Sequence, residues 1–232
     1  MEKIATAEIQ KFEKEHLGRL RALAPECMVL LKKNGDFPLP APCRIALYGS
    51  GARETIKGGT GSGDVNVRHY VSVEEGLENV GFIITTKKWM DGYKAAKDAQ
   101  TKNFYDDIAA EAKAQGKPVF LVGMGKTPPE PRYMLPIDGE GEVCIYVLSR
   151  NSGEGSDRLA AEGDFLLTED EKRDISLCCE RYRKFMLVLN VGGPVDLSPV
   201  IDQVQNILVL SQLGSVTGDA FADVLLGKNY PS

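Results

Sequence analysis

The sequence is short of the residues that make metal centres and catalytic triads. Its two histidines, His16 and His69, stand far apart in the chain, which leaves a zinc site or a Ser-His-Asp arrangement poorly supplied. Its five cysteines, Cys27, Cys43, Cys144, Cys178 and Cys179, form an odd set with no C-x-x-C pair. Several of them lie in apolar runs and read as small buried hydrophobes rather than as disulfides or metal ligands. No metal and no cofactor is expected. A basic excess is also lacking, since 28 Lys and Arg face 33 Asp and Glu for a formal charge of -5, and phosphate binding needs a basic face. Nucleic acid is thus not an expected partner. Nor is a membrane, because no apolar stretch reaches spanning length and the charged, amphipathic opening MEKIATAEIQKFEKEH has no signal-type hydrophobic core. With no N-x-[ST] sequon either, the expected compartment is the cytoplasm.

What remains is the composition of an ordinary globular protein, 43% hydrophobic and 26% charged over 232 residues, enough to bury a full core. Residues 3–34 read as helical, with Ile9, Phe12, Leu17, Leu20 and Leu23 on one face. Pro25 divides this stretch and suits the first turn of a second helix running to Lys33 and stopped by Gly35. The segment DFPLPAP at 36–42 cannot be helical and reads as an extended linker. Beyond it the chain alternates. Short β-branched runs at 44–48, 82–85, 118–122, 143–148, 185–191 and 207–210 read as buried strands. Helix signals lie between them: Ser72 with Glu75 and Thr168 with Glu171 fit capping boxes, Ile175, Cys178, Cys179 and Tyr182 share a helical face, and Gly116 and Gly227 fit C-terminal stops. Such alternation predicts a three-layer α/β sandwich around a mostly parallel sheet of about six strands. The expected organisation is an N-terminal helical segment over residues 1–35 and the sandwich over 36–232.

Two loops stand out. GSGARETIKGGTGSG, residues 49–63, follows the first strand, but a G-x-G-x-x-G fingerprint would need glycine where Glu54 stands, and no P-loop Gly-Lys-Ser/Thr follows. Its glycines are open to two readings, a mobile surface loop or a backbone that approaches a ligand. SRNSGEGSDR, residues 149–158, follows directly on the run 143–148 and sets Glu154 between Gly153 and Gly155. Ligands of open parallel sheets bind beyond the carboxyl ends of the strands, and flanking glycines let a substrate come close to the carboxylate. On spacing alone a solvated turn glutamate remains the favoured reading. Asp157 and Arg158 lie within reach to pair and fix the loop. The stretch at 219–232 makes structural sense as helix, glycine stop and turn.

Taken in order, four segments carry a likeness to a known family. ECMVLLKKNGDFPLP, then GSGA with GGTGSGDVN and SVEEGLENVGF, then SRNSGEGSDR with GDFLLTEDE, and last GDAFADVLLGKNYPS together resemble the α/β-sandwich domain of glycoside hydrolase family 3, the β-glucosidase-like enzymes. The resemblance implies that Glu154 is the general acid/base of a retaining β-glycosidase acting on terminal non-reducing β-linked sugars. It gives Asp157 and Arg158 a supporting role, and it sets Lys57, Gly58, Gly59, Gly61 and Gly63 on a loop near sugar or a neighbouring domain. It further implies a partner, the barrel domain of the same polypeptide that bears the nucleophilic aspartate. About 250 residues are needed for such a barrel, and the strands here do not make one. A helix directly before the sandwich looks like the permuted, sandwich-first members, and an end at Ser232 in mid-signature implies truncation ahead of the barrel. By itself the chain is then expected to be inactive. The alternative is a non-catalytic carbohydrate-binding or interaction module on the same fold.

Overall fold

The computed structural model describes residues 8–151 and 157–232. A 6-stranded sheet runs through it in the order β1-β6-β5-β4-β2-β3, built from Val29–Lys32 (β1), Arg44–Tyr48 (β2), Ile83–Ile84 (β3), Val143–Arg150 (β4), Lys184–Val191 (β5) and Ile207–Val209 (β6). β1 is antiparallel to β6 and the other pairings are parallel. Every residue of β4 is buried, as its unbroken apolar run requires of a strand covered on both faces. β4 pairs with β5 along its full length, from Val143 opposite Lys184 to Arg150 opposite Val191.

The covering helices are Lys11–Leu23 (α1), Val73–Asn79 (α2), Lys87–Gln115 (α3), Val119–Gly123 (α4), Glu169–Arg181 (α5) and Thr217–Leu225 (α6). The sequence signals at their ends are realised. Thr168 Oγ1 accepts from Glu171 N while the Glu171 carboxylate accepts from Thr168 N, closing a full capping box on α5. Ser72 caps α2 by accepting from Glu75 N, half of the expected box, while the Glu75 carboxylate pairs with His69 instead, and Gly116 ends α3 in the left-handed region at φ 61°. α2 and α6 cross on glycines. A Cβ on Gly218 would lie 1.8 Å from the Ser72 carbonyl oxygen, and one on Gly76 would lie 2.1 Å from the carbonyl carbon of Gly218.

The three-layer architecture expected from the sequence is present, but two elements change type. Residues 118–122, expected as a strand, form α4. Pro118 stands at its N-cap, and its Val122 packs with Ile108 and Ala112 of α3 in a small core apart from the sheet. A five-residue apolar run does not reveal its own periodicity. The helix expected from Pro25 to Lys33 is instead a 3-10 turn, Ala24–Cys27, followed by β1. Here tertiary pairing decides. β1 hydrogen-bonds to β6, while Ser232 both donates to the Met28 carbonyl and accepts from Leu30 N. The first helix, read from residue 3, starts among the described residues only at Lys11, and none of the residues of α1 is buried. Ile9, just before it, and Phe12, Leu17, Leu20 and Leu23 along it are 36% to 59% exposed. Ion pairs from Arg21 to Asp219 and Asp223 of α6 hold it. Among the described residues, no helix is long and apolar enough to cross a membrane.

Candidate functional site

Strand order locates the site before any side chain is considered. The chain leaves β2 for β3 on one side, then returns across β2 to β4 on the other. The crevice beyond the carboxyl ends of β2 and β4 is therefore the topological switch point, where open α/β sheets bind ligands. A cleft of about 490 Å³ opens there, within the range of small-molecule sites. It is lined from the β2 side by Glu54, Ile56 and Thr60, and from β4 by Ser149, Arg150 and Asn151. Lys97 of α3, residues 127–130, residues 157–159 and residues 161–164 complete the wall. A larger groove of about 610 Å³ lies between α1 and residues 66–71. It is mostly apolar and shares no lining residue with the strand-end cleft.

The floor of the cleft is held by buried polar groups. Gly49 turns the chain at φ +92°, and a Cβ there would sit 2.4 Å from the Val147 carbonyl oxygen. Ser50 then accepts from Ser149 N at 3.0 Å, with the two hydroxyls 2.9 Å apart. Asn190, fully buried at the end of β5, accepts from Ile56 N at 2.7 Å and donates to the carbonyls of Ile56 and Ser211 at 2.9 and 2.7 Å. One amide thus ties the glycine-rich loop to the neighbouring strand end.

Arg150 closes the other side. Its guanidinium donates to both oxygens of Glu171 at 2.8 and 2.6 Å, to the Ser149 carbonyl at 2.9 Å and to the Asp164 carbonyl at 3.0 Å. The pair is almost sealed from solvent, with side chains 2% and 5% exposed. Asp164 also takes Arg158 on its carboxylate and accepts from Leu159 N at 2.5 Å. The segment that leaves β4 is consequently anchored where it starts, through Arg150, and where it returns, through Asp164.

The residues singled out from the sequence distribute unevenly over this geometry. Glu154 lies outside the described residues, while Asn151 and Asp157 on either side of its loop both line the cleft. The carboxylate partner of Arg158 is Asp164, six residues on, rather than the adjacent Asp157. Lys57 pairs with Asp64, which folds the segment carrying Gly58, Gly59, Gly61 and Gly63 back on itself, with Thr60 of that segment on the cleft wall. The histidines both line the apolar groove. Among the described residues no group of His, Cys, Asp and Glu is placed to hold a metal.

Three participants had no separate signal. Glu171 reads in the sequence as a capping residue, which it is, and the same carboxylate grips Arg150. Asp164 sits in the quoted GDFLLTEDE with nothing to mark it as an anchor. Glu130, in the proline-rich run 127–131, lines the cleft and accepts from the Tyr93 hydroxyl at 2.7 Å. Burial pushes its carboxyl above the usual carboxylate range, the Glu171 charge adds to the shift, and Arg150 opposes both.

With this geometry in hand, known proteins can be compared. The sequence model of the "Glycosyl hydrolase family 3 C-terminal domain" matches residues 28–232. Beta-glucosidase A of Butyrivibrio fibrisolvens is 32% identical over 235 residues, covering 90% of this chain and 27% of that protein. A beta-glucosidase of Ruminococcus albus is 28% identical over 228 residues, with 94% and 22% covered. Among solved structures, beta-glucosidase 3B from Thermotoga neapolitana in complex with glucose superposes with a TM-score of 0.74 at 31% identity, over 94% of this chain and 30% of that one. The chain spans less than a third of the length of each of these proteins.

Proposed function

The chain belongs to glycoside hydrolase family 3, and we propose that it is the acid/base-supplying domain of a retaining β-glycosidase that removes terminal, non-reducing β-linked sugars. The observation that carries the reading is the cleft at the β2–β4 switch point, bordered on both sides of the Glu154 loop by Asn151 and Asp157. In the proposed reaction Glu154 protonates the leaving oxygen and then activates the water that breaks the glycosyl-enzyme ester. Retaining hydrolysis sets its two carboxyl groups roughly 5 to 5.5 Å apart. The second, a nucleophilic aspartate, is assigned to a barrel domain of the same polypeptide. The names of the relatives, β-glucosidases, support a β-glucoside as substrate.

Arg150 and Asp164 have a definite part in this scheme. A general acid must stay at the proton-transfer distance, and the two anchors fix the chain on either side of the loop that carries Glu154. A general acid at neutral pH also needs a raised pKa. Docking against a second domain supplies that by desolvation and by a neighbouring carboxylate. On this reading the 232-residue chain is not a competent glycosidase by itself. The cytoplasm remains the proposed compartment on the sequence grounds given above.

Two measurements test the proposal. The purified chain should give no hydrolysis of an aryl β-glucoside that scales with protein concentration. Joined to a family barrel bearing the aspartate, it should become active, and Glu154→Ala should abolish turnover of cellobiose while sparing kcat/KM for a dinitrophenyl glucoside, whose leaving group needs no proton, its kcat falling with the slowed ester hydrolysis and recovering with added azide. Equal loss on both substrates, or on neither, would refute the acid/base role and favour the non-catalytic module.

A further inference from the structure

The cleft contains a carboxyl group for which the proposed reaction has no use. Most charges around it are matched: Arg150 by Glu171, Arg158 by Asp164, and Lys97 by Glu54 at 2.7 Å. Among the described residues Glu130 forms no ion pair. Arg150, whose charge acts on it most among the cations, is committed at both ends of its fork to Glu171. The Tyr93 hydroxyl occupies Oε2 of Glu130, and among the described residues Oε1 makes no hydrogen bond. Gly163 backs the side chain closely, since a Cβ there would lie 3.1 and 3.2 Å from the Glu130 Cγ and Cβ. The carboxyl is therefore held from two directions, by Tyr93 and by Gly163, while it contributes to the cleft wall.

We propose that Glu130 is a second ligand-contacting carboxyl of this cleft, and that its unoccupied oxygen hydrogen-bonds a hydroxyl of a neutral sugar on the leaving-group side. The proposal rests on the reading of the cleft as a carbohydrate site. Charge selects the ligand class. The basic groups already have counter-charges, and Asp157 and Glu162 add exposed acid to the wall, so an anionic ligand is disfavoured and a neutral polyhydroxyl one suits. The side follows from chemistry: the acid that protonates the leaving oxygen belongs to this chain, so the neighbours of its loop flank the departing sugar.

Protonation gives the contact a pH signature. The groups that face Glu130 are Tyr93 and Lys97 from α3, Arg150 from β4 and Glu171 from α5, while the 157–164 loop presents the uncharged Gly163. Burial, then Glu171, keep the carboxyl neutral to higher pH than an ordinary glutamate, against the pull of Arg150. A neutral carboxyl donates from one oxygen while it accepts Tyr93 on the other. A folded pKa raised in this way makes the donor present below it and lost as pH rises through it.

The test is cellobiose binding to the whole 232-residue chain, followed by calorimetry and by amide shifts between pH 5 and pH 8. Wild type should bind weakly, and more weakly as pH rises through the raised Glu130 pKa. Glu130→Leu should bind about tenfold less tightly at pH 5, the equivalent of roughly 1.4 kcal/mol for one hydrogen bond. Glu130→Gln, whose amide keeps a donor, should bind within about twofold of wild type at pH 5 and lose the pH dependence. If Glu130→Leu does not fold, the flattening in Glu130→Gln decides. No binding by wild type, unchanged binding by Glu130→Leu, or an unflattened profile in Glu130→Gln would overturn the proposal. The catalytic reading fails separately, when the barrel fusion does not hydrolyse although cellobiose still binds through Glu130.

Discussion

Replacement of Glu171 by alanine should be among the most damaging single changes in this domain. Its carboxylate serves two elements at once, receiving both arms of Arg150 and the Thr168 N–H that begins α5. With the two side chains 2% and 5% exposed, water cannot replace what is lost. Removing one partner of such a buried pair leaves an uncompensated guanidinium and costs about 3–5 kcal/mol, and loss of the cap contact adds about 1 kcal/mol. The sum, about 4–6 kcal/mol, is a large share of the roughly 5–15 kcal/mol that keeps a domain folded. Glu171→Gln retains an acceptor for Thr168 and one contact to Arg150, so it should cost about 2–3 kcal/mol, a Tm decrease of roughly 4–12 °C for a domain of this size. Urea unfolding, followed by circular dichroism and by the fluorescence of the single tryptophan, Trp89, measures both. The two probes must coincide for the free energies to hold. The pair should also couple, with Arg150→Met/Glu171→Leu less damaging than Glu171→Ala alone, because no buried charge is stranded. A cost below about 1 kcal/mol for Glu171→Ala, or strict additivity in the cycle, would refute the account of Arg150 as a dry, charge-matched anchor.

The remaining predictions concern glycine and cysteine. Gly218→Ala should destabilise by at least about 2 kcal/mol, since its Cβ would meet the Ser72 carbonyl at 1.8 Å, whereas Gly18→Ala, with open space around it in α1, should stabilise that helix by up to about 1 kcal/mol; thermal melts that rank the two alike would contradict the α2–α6 crossing. Maleimide labelling at pH 8 should modify exposed Cys27 first, then Cys179, whose thiol burial pushes up to about 12. Cys144 and Cys178, both fully buried, should react only in denaturant, and mass-mapped labelling of either in the native state would show a looser β4–α5 contact than described.

The course of the chain was readable where local chemistry and tertiary fate agree. β2, β4 and β5 announce themselves as short apolar runs because both faces of their central residues are buried, with polar residues only at or near their ends. α5 is announced by Thr168 and Glu171, because the orphan N–H groups of a helix start need acceptors whatever the helix packs on. The misread segments are those where local pattern is silent and partners decide. Residues 29–32 could be helix or strand until β6 and Ser232 supply hydrogen bonds, and residues 118–122 until α3 offers an apolar surface. For the site, the glycine-flanked Glu154 and the 49–63 loop were visible as punctuation. Glu130, Asp164 and Asn190 were not, because a lone polar residue carries no mark of the distant group it will meet.

The sequence alone determined the layered α/β class, the strand at whose end the polar loop sits, and the family likeness, since all three are written in local pattern and in order along the chain. The tertiary structure decided which residues share a cleft. It set β4 beside β2, so that loops about a hundred residues apart in sequence meet at one switch point. It buried Arg150 against Glu171, and among the described residues it left Glu130 without an ion pair. Those outcomes depend on which charges are dehydrated together, and dehydration is a property of packing in three dimensions that no stretch of sequence contains.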